Sequence, residues 1–217
     1  MIDRTLPPLV LASRSLTRQT MLRQAGLTIT VQPPGLDETA FKAELRTRAS
    51  AAPALAPELA GALARAKAEA VAQSQFLGPA QPSAWVIGAD QVLSCDGELF
   101  DKASDLAAAK VILRRLQSRR HELHSAVCVI HHDERGNMVQ WLHVSTAQLW
   151  MRPLSDDFIT GYLDRADPSV LWSVGCYQIE GLGTQLFERV EGDHFTILGL
   201  PLLPLLHYLR TAGRWPI

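Results

Sequence analysis

Asp90 stands where a buried strand would ordinarily carry another aliphatic side chain. It follows the apolar run Trp85-Val86-Ile87 and the small residues Gly88-Ala89, which leave room for another group to approach the backbone. A second apolar patch, Val92-Leu93, leads to Asp96-Gly97, a pair suited to a tight hairpin because both central residues of that turn need φ > 0. The chain then returns through Leu99-Phe100 to Asp101-Lys102. The expected product is a carboxylate at a strand end with a lysine brought back near it. That is either a general base beside a cation or an ordinary surface Asp–Lys hairpin.

A second candidate is Ser13-Arg14-Ser15, between an apolar strand at Leu9–Ala12 and a helical pattern of Leu16, Met21, Leu22 and Ala25 ended by Gly26. Ser13 or Ser15 is a natural N-cap, and free backbone N–H groups at a helix N-terminus attract anions. Thr17 and Arg18 crowd the same end. The competing reading is plain capping with two exposed arginines. His121 and His124, like His131 and His132, are poor chelates on one strand, because neighbouring side chains face opposite sides, so no histidine metal site is expected.

Composition narrows the class. The chain has 217 residues, 47% of them hydrophobic, and a formal net charge of −1, so it can bury a full core and has no electrostatic case for coating nucleic acid. Any anionic substrate must meet a local cluster of Arg and Lys. Cys95, Cys128 and Cys176 are far apart and odd in number, which suits reduced core thiols. The start of the chain lacks a signal-peptide pattern and no apolar run reaches spanning length, so a soluble, cytoplasmic protein is expected.

The elements that must position these groups alternate between strands and helices, which predicts an α/β class. Beyond the first strand and helix, the pattern predicts a strand at Leu27–Val31 and a loop at Leu36-Asp37-Glu38. An Ala-rich helix delayed by Pro53 and Pro57 runs to about Gln75, followed by a proline-bounded loop at Gly78–Ser83. After the hairpin come a helix capped at Ser104-Asp105, long strands at Glu122–His131 and Met138–Met151, and a helix capped by Ser155. A glycine-rich irregular stretch from Gly175 to Gly183 precedes strands at Leu186–Val190 and Phe195–Leu198 and a final helix after Gly199-Leu200-Pro201.

The segment Leu11-Ala12-Ser13-Arg14-Ser15-Leu16-Thr17-Arg18, with Gly88-Ala89-Asp90-Gln91-Val92 and Asp101-Lys102, resembles the Maf family of nucleoside triphosphate pyrophosphatases. Further matches follow in order at Asp37-Glu38, Ala66-Lys67-Ala68, Arg119 with His121 and Ser125, Gly175 through Gly181, and Gly192-Asp193 before Gly199-Leu200-Pro201. The resemblance covers nearly the whole chain. It implies one domain over residues 1–217, an α/β fold of two lobes around a long mixed sheet with flanking helices, similar to inosine triphosphate pyrophosphatases, and a cleft between the lobes. It also implies a divalent metal, magnesium or manganese, and a homodimer, with a nucleoside triphosphate as partner and no nucleic acid or membrane.

The implied reaction cleaves the triphosphate between its α and β phosphates. By that resemblance Asp90 is the catalytic base, Glu38 holds the metal with Asp90 sharing it, and Ser13, Arg18, Lys67 and Lys102 bind substrate. Thr17, Gln91 and Glu180 occupy the specificity positions. Gln91 and Glu180-Gly181-Leu182-Gly183 are similar to the branch acting on 7-methyl-GTP, whereas the dTTP and UTP branch usually has Thr and Gln at those two places. The chemistry agrees: a carboxylate accepts two parallel bonds from the N1–H and N2–H₂ edge of guanine, and an N7-methyl adds a positive charge it favours. Four positions depart from the family pattern. Leu16 replaces a proline, Thr17 stands where an arginine or tryptophan is expected, Ala103 replaces a proline and Ser118 a glycine. The alternatives are a dTTP, UTP or broad-specificity pyrophosphatase, and a nucleotide-binding regulator of septum formation and cell division.

Overall fold

In the computed structural model, residues 7–38, 40–42, 55–75, 84–133 and 135–214 are described. The elements are β1 (Leu9–Ala12), α1 (Leu16–Gln24), β2 (Ile29–Val31), α2 (Leu55–Gln75), β3 (Trp85–Cys95), β4 (Glu98–Phe100) and α3 (Leu106–Leu116). Then follow β5 (Arg120–His132), β6 (Met138–Met151), α4 (Asp156–Arg165), three short 3₁₀ turns between Pro168 and Leu186, β7 (Phe187–Glu191), α5 (His194–Ile197) and α6 (Leu202–Thr211). The seven strands form one mixed sheet in the order β2-β1-β3-β5-β6-β7, with β4 paired to β3. β1 runs parallel to both β2 and β3, and the remaining pairs are antiparallel. The expected α/β class and mixed sheet with flanking helices are present.

The two long central strands pass from one hydrophobic core to another. At one end Val86 packs with α2 on one face of the sheet, while Ile87 packs with α1 and α6 on the other. At the other end Leu93 and Cys95 join Leu123, α3 and α4 in a third core. β5 is shared in the same way, with Cys128 and Ile130, Val127 and Val129, and Leu123 divided among the three. Gln91 falls where two of these cores meet, and Asp90, on the other face, lies between Val86 and Val92 of one core.

Two corrections to the sequence reading follow from local capping. Phe195–Leu198 is not a strand but part of the turn α5, because the Asp193 carboxylate caps it by accepting from the Thr196 N–H at 2.9 Å. Glu38 is not in a loop either. Asp37 accepts from the Ala40 N–H at 3.1 Å, and Glu38 opens a helical turn. The loop expected at Gly78–Ser83 and the Pro53 start of the Ala-rich helix lie outside the described residues.

Turn chemistry follows the residues. Asp96 and Gly97 both adopt positive φ, 50° and 79°, as the hairpin from β3 to β4 requires. Ser118 also sits at φ 56°, a conformation that glycine adopts without strain, which explains why its replacement of a glycine is a structural departure. The tightest approach is at Gly88. A Cβ there would lie 2.7 Å from the Ala68 nitrogen and 2.9 Å from the Ala68 Cβ, and closer still to the Ala64 carbonyl. Helix α2 therefore rests directly on the backbone of β3.

Gly88→Ala is expected to push α2 off the sheet and lower the free energy of unfolding by roughly 1–3 kcal/mol, read as a reduced urea midpoint at unchanged m-value. Burial also lowers the proton affinity of His121, to about 4 from 6.5, and lowers that of His124, His131 and His143. As pH falls from 6.5 towards 4, the unfolded chain takes up a proton at His121 that the folded chain refuses, so stability falls through that window. The His121 share is roughly 3 kcal/mol, and denaturant titrations at stepped pH would reveal its absence as a flat profile.

Candidate active site

Asp90 does not end a strand, as the sequence suggested, but sits inside β3, paired across to Ala126 of β5. What ends is its neighbour. The parallel pairing of β1 with β3 stops at Ala12 opposite Gly88, and β1 turns away through Ser13 into α1. That departure opens the flank of β3 beside Asp90. Ligands of parallel strands collect at such carboxyl ends, where the chain leaves the sheet.

Into the opening comes Lys67 from α2. Its Nζ donates to Asp90 Oδ1 at 2.6 Å and lies 2.8 Å from Glu38 Oε1. Lys67 and Asp90 are 5% and 6% exposed, whereas the Glu38 side chain is 39% exposed, so the pair opens towards solvent on the Glu38 side. Partial burial alone would raise the Glu38 pKa. The charge and hydrogen bond of Lys67, with help from Lys102 and Lys42, overcome that and hold it below the usual carboxylate range. Lys42, which sequence reasoning passed over, also pairs with Asp101 at 2.7 Å and ties the Glu38 turn to the segment carrying Lys102. Its one sequence signal was its place four residues after Glu38, on the same helical face. Lys102 itself is exposed. Desolvation by its surroundings lowers its pKa, opposed by Glu38, with Arg18 and Lys67 lowering it further.

The Ser13–Arg18 segment divides its roles. Ser15 is the N-cap of α1, accepting from the Arg18 N–H, which settles the choice between the two serines. Ser13 is buried and accepts from the Ser15 N–H at 3.2 Å and from Arg18 Nη1 at 3.3 Å. Arg18 also donates from Nη1 to the Ala89 carbonyl at 3.0 Å and from Nε to the Gly199 carbonyl at 2.8 Å. Burial lowers its pKa, opposed by Asp90 and Glu38. Much of its fork is thus committed to the protein. Arg14 is exposed.

Beyond these charges lies a smaller cavity lined by Thr17, Gln91, Leu123, Ser173, Val174, Tyr177, Gln178, Ile179, Glu180, Ile197 and Leu198. All three expected specificity positions therefore border one space. Gln91 Nε2 lies within hydrogen-bonding distance of Ser125 Oγ (3.0 Å) and the carbonyls of Thr196 (3.2 Å) and Ile197 (3.0 Å). That network orients the amide and leaves Oε1 as the group not engaged by it. A larger depression of about 580 Å³, lined by Phe41, Pro57, Gly61, Ala62, Ala66, Leu142 and Val144, is apolar and has Glu58, Arg65 and Glu69 at its edge. It lacks the converging charges that an anion needs. Of the sequence-derived candidates, Ser13, Arg18, Glu38, Lys67, Asp90 and Lys102 gather at the charged opening, and Thr17, Gln91 and Glu180 at the cavity beside it.

The family profile described as Maf-like protein matches residues 8–212. A Nitrobacter winogradskyi protein named nucleoside triphosphate pyrophosphatase is 46% identical, over 94% of this chain and 93% of its own length. A Rhizobium etli protein named 7-methyl-GTP pyrophosphatase is 45% identical, over 95% and 97%. A solved structure described as nucleoside-triphosphatase / dITP/XTP pyrophosphatase, from Mycobacterium abscessus, aligns over 68% of this chain and 75% of that one at 14% identity. Its TM-score of 0.36 is too low to bear on the site. The profile match and the two full-length relatives cover both the charged opening and the cavity beside it, and the chain belongs to the Maf family.

Proposed function

We propose that this chain hydrolyses nucleoside triphosphates between the α and β phosphates, releasing a nucleoside monophosphate and inorganic pyrophosphate, with 7-methyl-GTP as preferred substrate. The observation that carries the reaction is Lys67 held between Asp90 and Glu38 at the mouth of an opening faced by Arg18 and Lys102. The names of the two relatives support the same reaction.

A triphosphate competes with the two carboxylates for Lys67 and draws Lys102 in from solvent. The Ser13 hydroxyl and the N-terminus of α1 offer donors to phosphate oxygens. Asp90, once released from Lys67, accepts the proton of the attacking water. Glu38 and Asp90 fit a magnesium ion, since both are hard oxygen donors near enough for one ammonium to bridge them. Among the described residues no group of three or more His, Cys, Asp or Glu gathers, so Glu38 and Asp90 are the two protein groups that would hold the ion. When bound, the ion supplies neutralisation of phosphate charge.

Base preference rests on Glu180, exposed at the edge of the cavity, and on Gln91, whose donor end is engaged by the protein. Two acceptors favour a base edge rich in donors, which guanine has and the pyrimidines lack. Thr17 favours the second reading, a dTTP, UTP or broad-specificity enzyme, because it offers no ring to stack on a cationic base. Among the described residues no helix is long and apolar enough to cross a membrane. A cytoplasmic homodimer is part of the proposal.

Pyrophosphate release should be measured with magnesium and a panel of 7-methyl-GTP, GTP, dTTP, UTP, CTP, ATP and ITP. Asp90→Asn is expected to lower turnover by about 10²-fold or more; retained turnover would remove Asp90 from the chemistry. Nucleotide binding without turnover in the wild type would favour the regulator. Glu180→Gln should lower kcat/KM for 7-methyl-GTP relative to dTTP by roughly tenfold, the scale of one charged hydrogen bond. An unchanged ranking of bases would sink the Glu180 assignment.

A further inference from the structure

The family resemblance singles out His121, and nothing in the reaction above uses it. His121 is 1% exposed on β5, and its Nε2 lies 2.7 Å from the hydroxyl of Tyr177. Its Nδ1 is buried without a hydrogen-bond partner among the described residues. An unpartnered buried polar atom costs stability, so the position calls for an explanation. His124, on the opposite face, shows the contrast: Ser94 lies 2.9 Å from its Nε2 and Thr146 2.9 Å from its Nδ1.

Tyr177 begins the segment that carries Glu180. The chain reaches it through two consecutive left-handed residues, Gly175 at φ 79° and the buried Cys176 at φ 58°. The second is strained for a residue with a side chain, and such strain persists only where surrounding contacts fix it. Those contacts are present. Tyr162 donates to the Cys176 carbonyl at 3.1 Å, and the Tyr177 ring meets Phe187 edge-on at 4.8 Å. A Cβ on Gly175 would lie 2.5 Å from that ring. From Tyr177 the chain closes a turn in which the Gly181 N–H donates to the Gln178 carbonyl at 3.2 Å, with Glu180 inside it. Tyr177 also borders the cavity itself.

Strand geometry ties this to the other specificity residue. His121, Leu123 and Ser125 alternate along one face of β5. Leu123 lines the cavity, Ser125 holds Gln91, and His121 holds Tyr177. One strand face thus supports both sides of the cavity.

We propose that His121 and Tyr177 form a positioning pair that sets where Glu180 stands against the nucleobase. The inference rests on the reading of the cavity as the base site. His121 is neutral at working pH, because burial holds its pKa near 4, so the pair is a neutral hydrogen bond insensitive to pH above about 6.

The test compares Tyr177→Phe, His121→Leu and His121→Gln with the wild type, on the nucleotide panel and by thermal unfolding. Tyr177→Phe keeps the ring and its packing, and glutamine can return a polar group near the place of Nε2. Expected are a five- to twentyfold narrowing of the kcat/KM ratio between the first- and last-ranked bases in Tyr177→Phe and His121→Leu. The loss should fall on KM more than on kcat, and His121→Gln should recover most of it. A uniform fall across all bases, tracking the drop in melting temperature, would make the pair merely structural and overturn the proposal. A full ranking kept by Tyr177→Phe would overturn it also. A wild-type ranking without guanine first would fell the Glu180 base assignment but leave this comparison readable, since the ratio is taken within each variant.

Discussion

A buried ammonium shared by two carboxylates needs a neighbourhood that cannot relax. Lys67 lies 2.6 Å from Asp90 and 2.8 Å from Glu38, and taking away the cation would leave Asp90 as an uncompensated charge almost without solvent. The contact depends on how near α2 sits to β3, and that is fixed by Gly88, against which Ala64 and Ala68 pack without space for a methyl group. The chain places the lysine one residue from Ala68 and the aspartate two residues from Gly88, so the helix–strand approach and the ion contact are one constraint. The Glu38 turn is the looser member. It is partly exposed and is steadied from outside by Lys42 on Asp101.

The long strands tolerate polar groups at mid-length because each has a partner at hand. Asp90 has Lys67, and Gln91 has Ser125 and two carbonyls of α5. Apolar residues on either side of Gln91 belong to separate cores, whereas Asp90, on the other face, lies between Val86 and Val92 of one core and depends on Lys67 there. This is how a sheet can be rigid and still open a charged site beside its centre: β1 leaves after Ala12, and β3 is paired with β5 alone until β4 joins it at Leu93.

The sequence made legible those features whose cause is local. Asp96-Gly97 announced its turn by the φ values it tolerates, Ser13 or Ser15 and Ser104-Asp105 announced helix starts that the structure caps with Ser15 and Asp105, and Gly88-Ala89 announced a close approach without saying what approaches. It failed where a side chain overrides the apparent pattern. Phe195-Thr196-Ile197-Leu198 reads as a strand by its β-branched and aromatic residues, but the Asp193 cap turns it into a helix. Asp90 looked like a strand end because its side chain is charged, although the strand runs on to Cys95. The Lys42–Asp101 pair and the His121–Tyr177 bond join residues more than fifty apart, and no spacing rule could have paired them. The family resemblance supplied the site list, and physical spacing alone would have left Glu38 and Lys67 as an ordinary loop and helix residue.

Arg18 and Gln91 meet on one short turn. Arg18 donates to the carbonyl of Gly199, and Gln91 approaches those of Thr196 and Ile197. Gly199, at φ 98°, presents its backbone to both side chains, since a Cβ there would stand 3.4 Å from the Arg18 guanidinium and 3.6 Å from Gln91 Oε1. Arg18 at the charged opening and Gln91 at the cavity are therefore braced by the same few backbone atoms. A change that repositions either side chain must move this turn, and the turn is held in place by Asp193 at its start and by the buried Leu200 after it. Substitution at Thr17, whose side chain borders the cavity but makes none of these bonds, escapes that coupling. Under the proposed function, it is the position at which base preference can vary while the proposed phosphate contacts stay fixed.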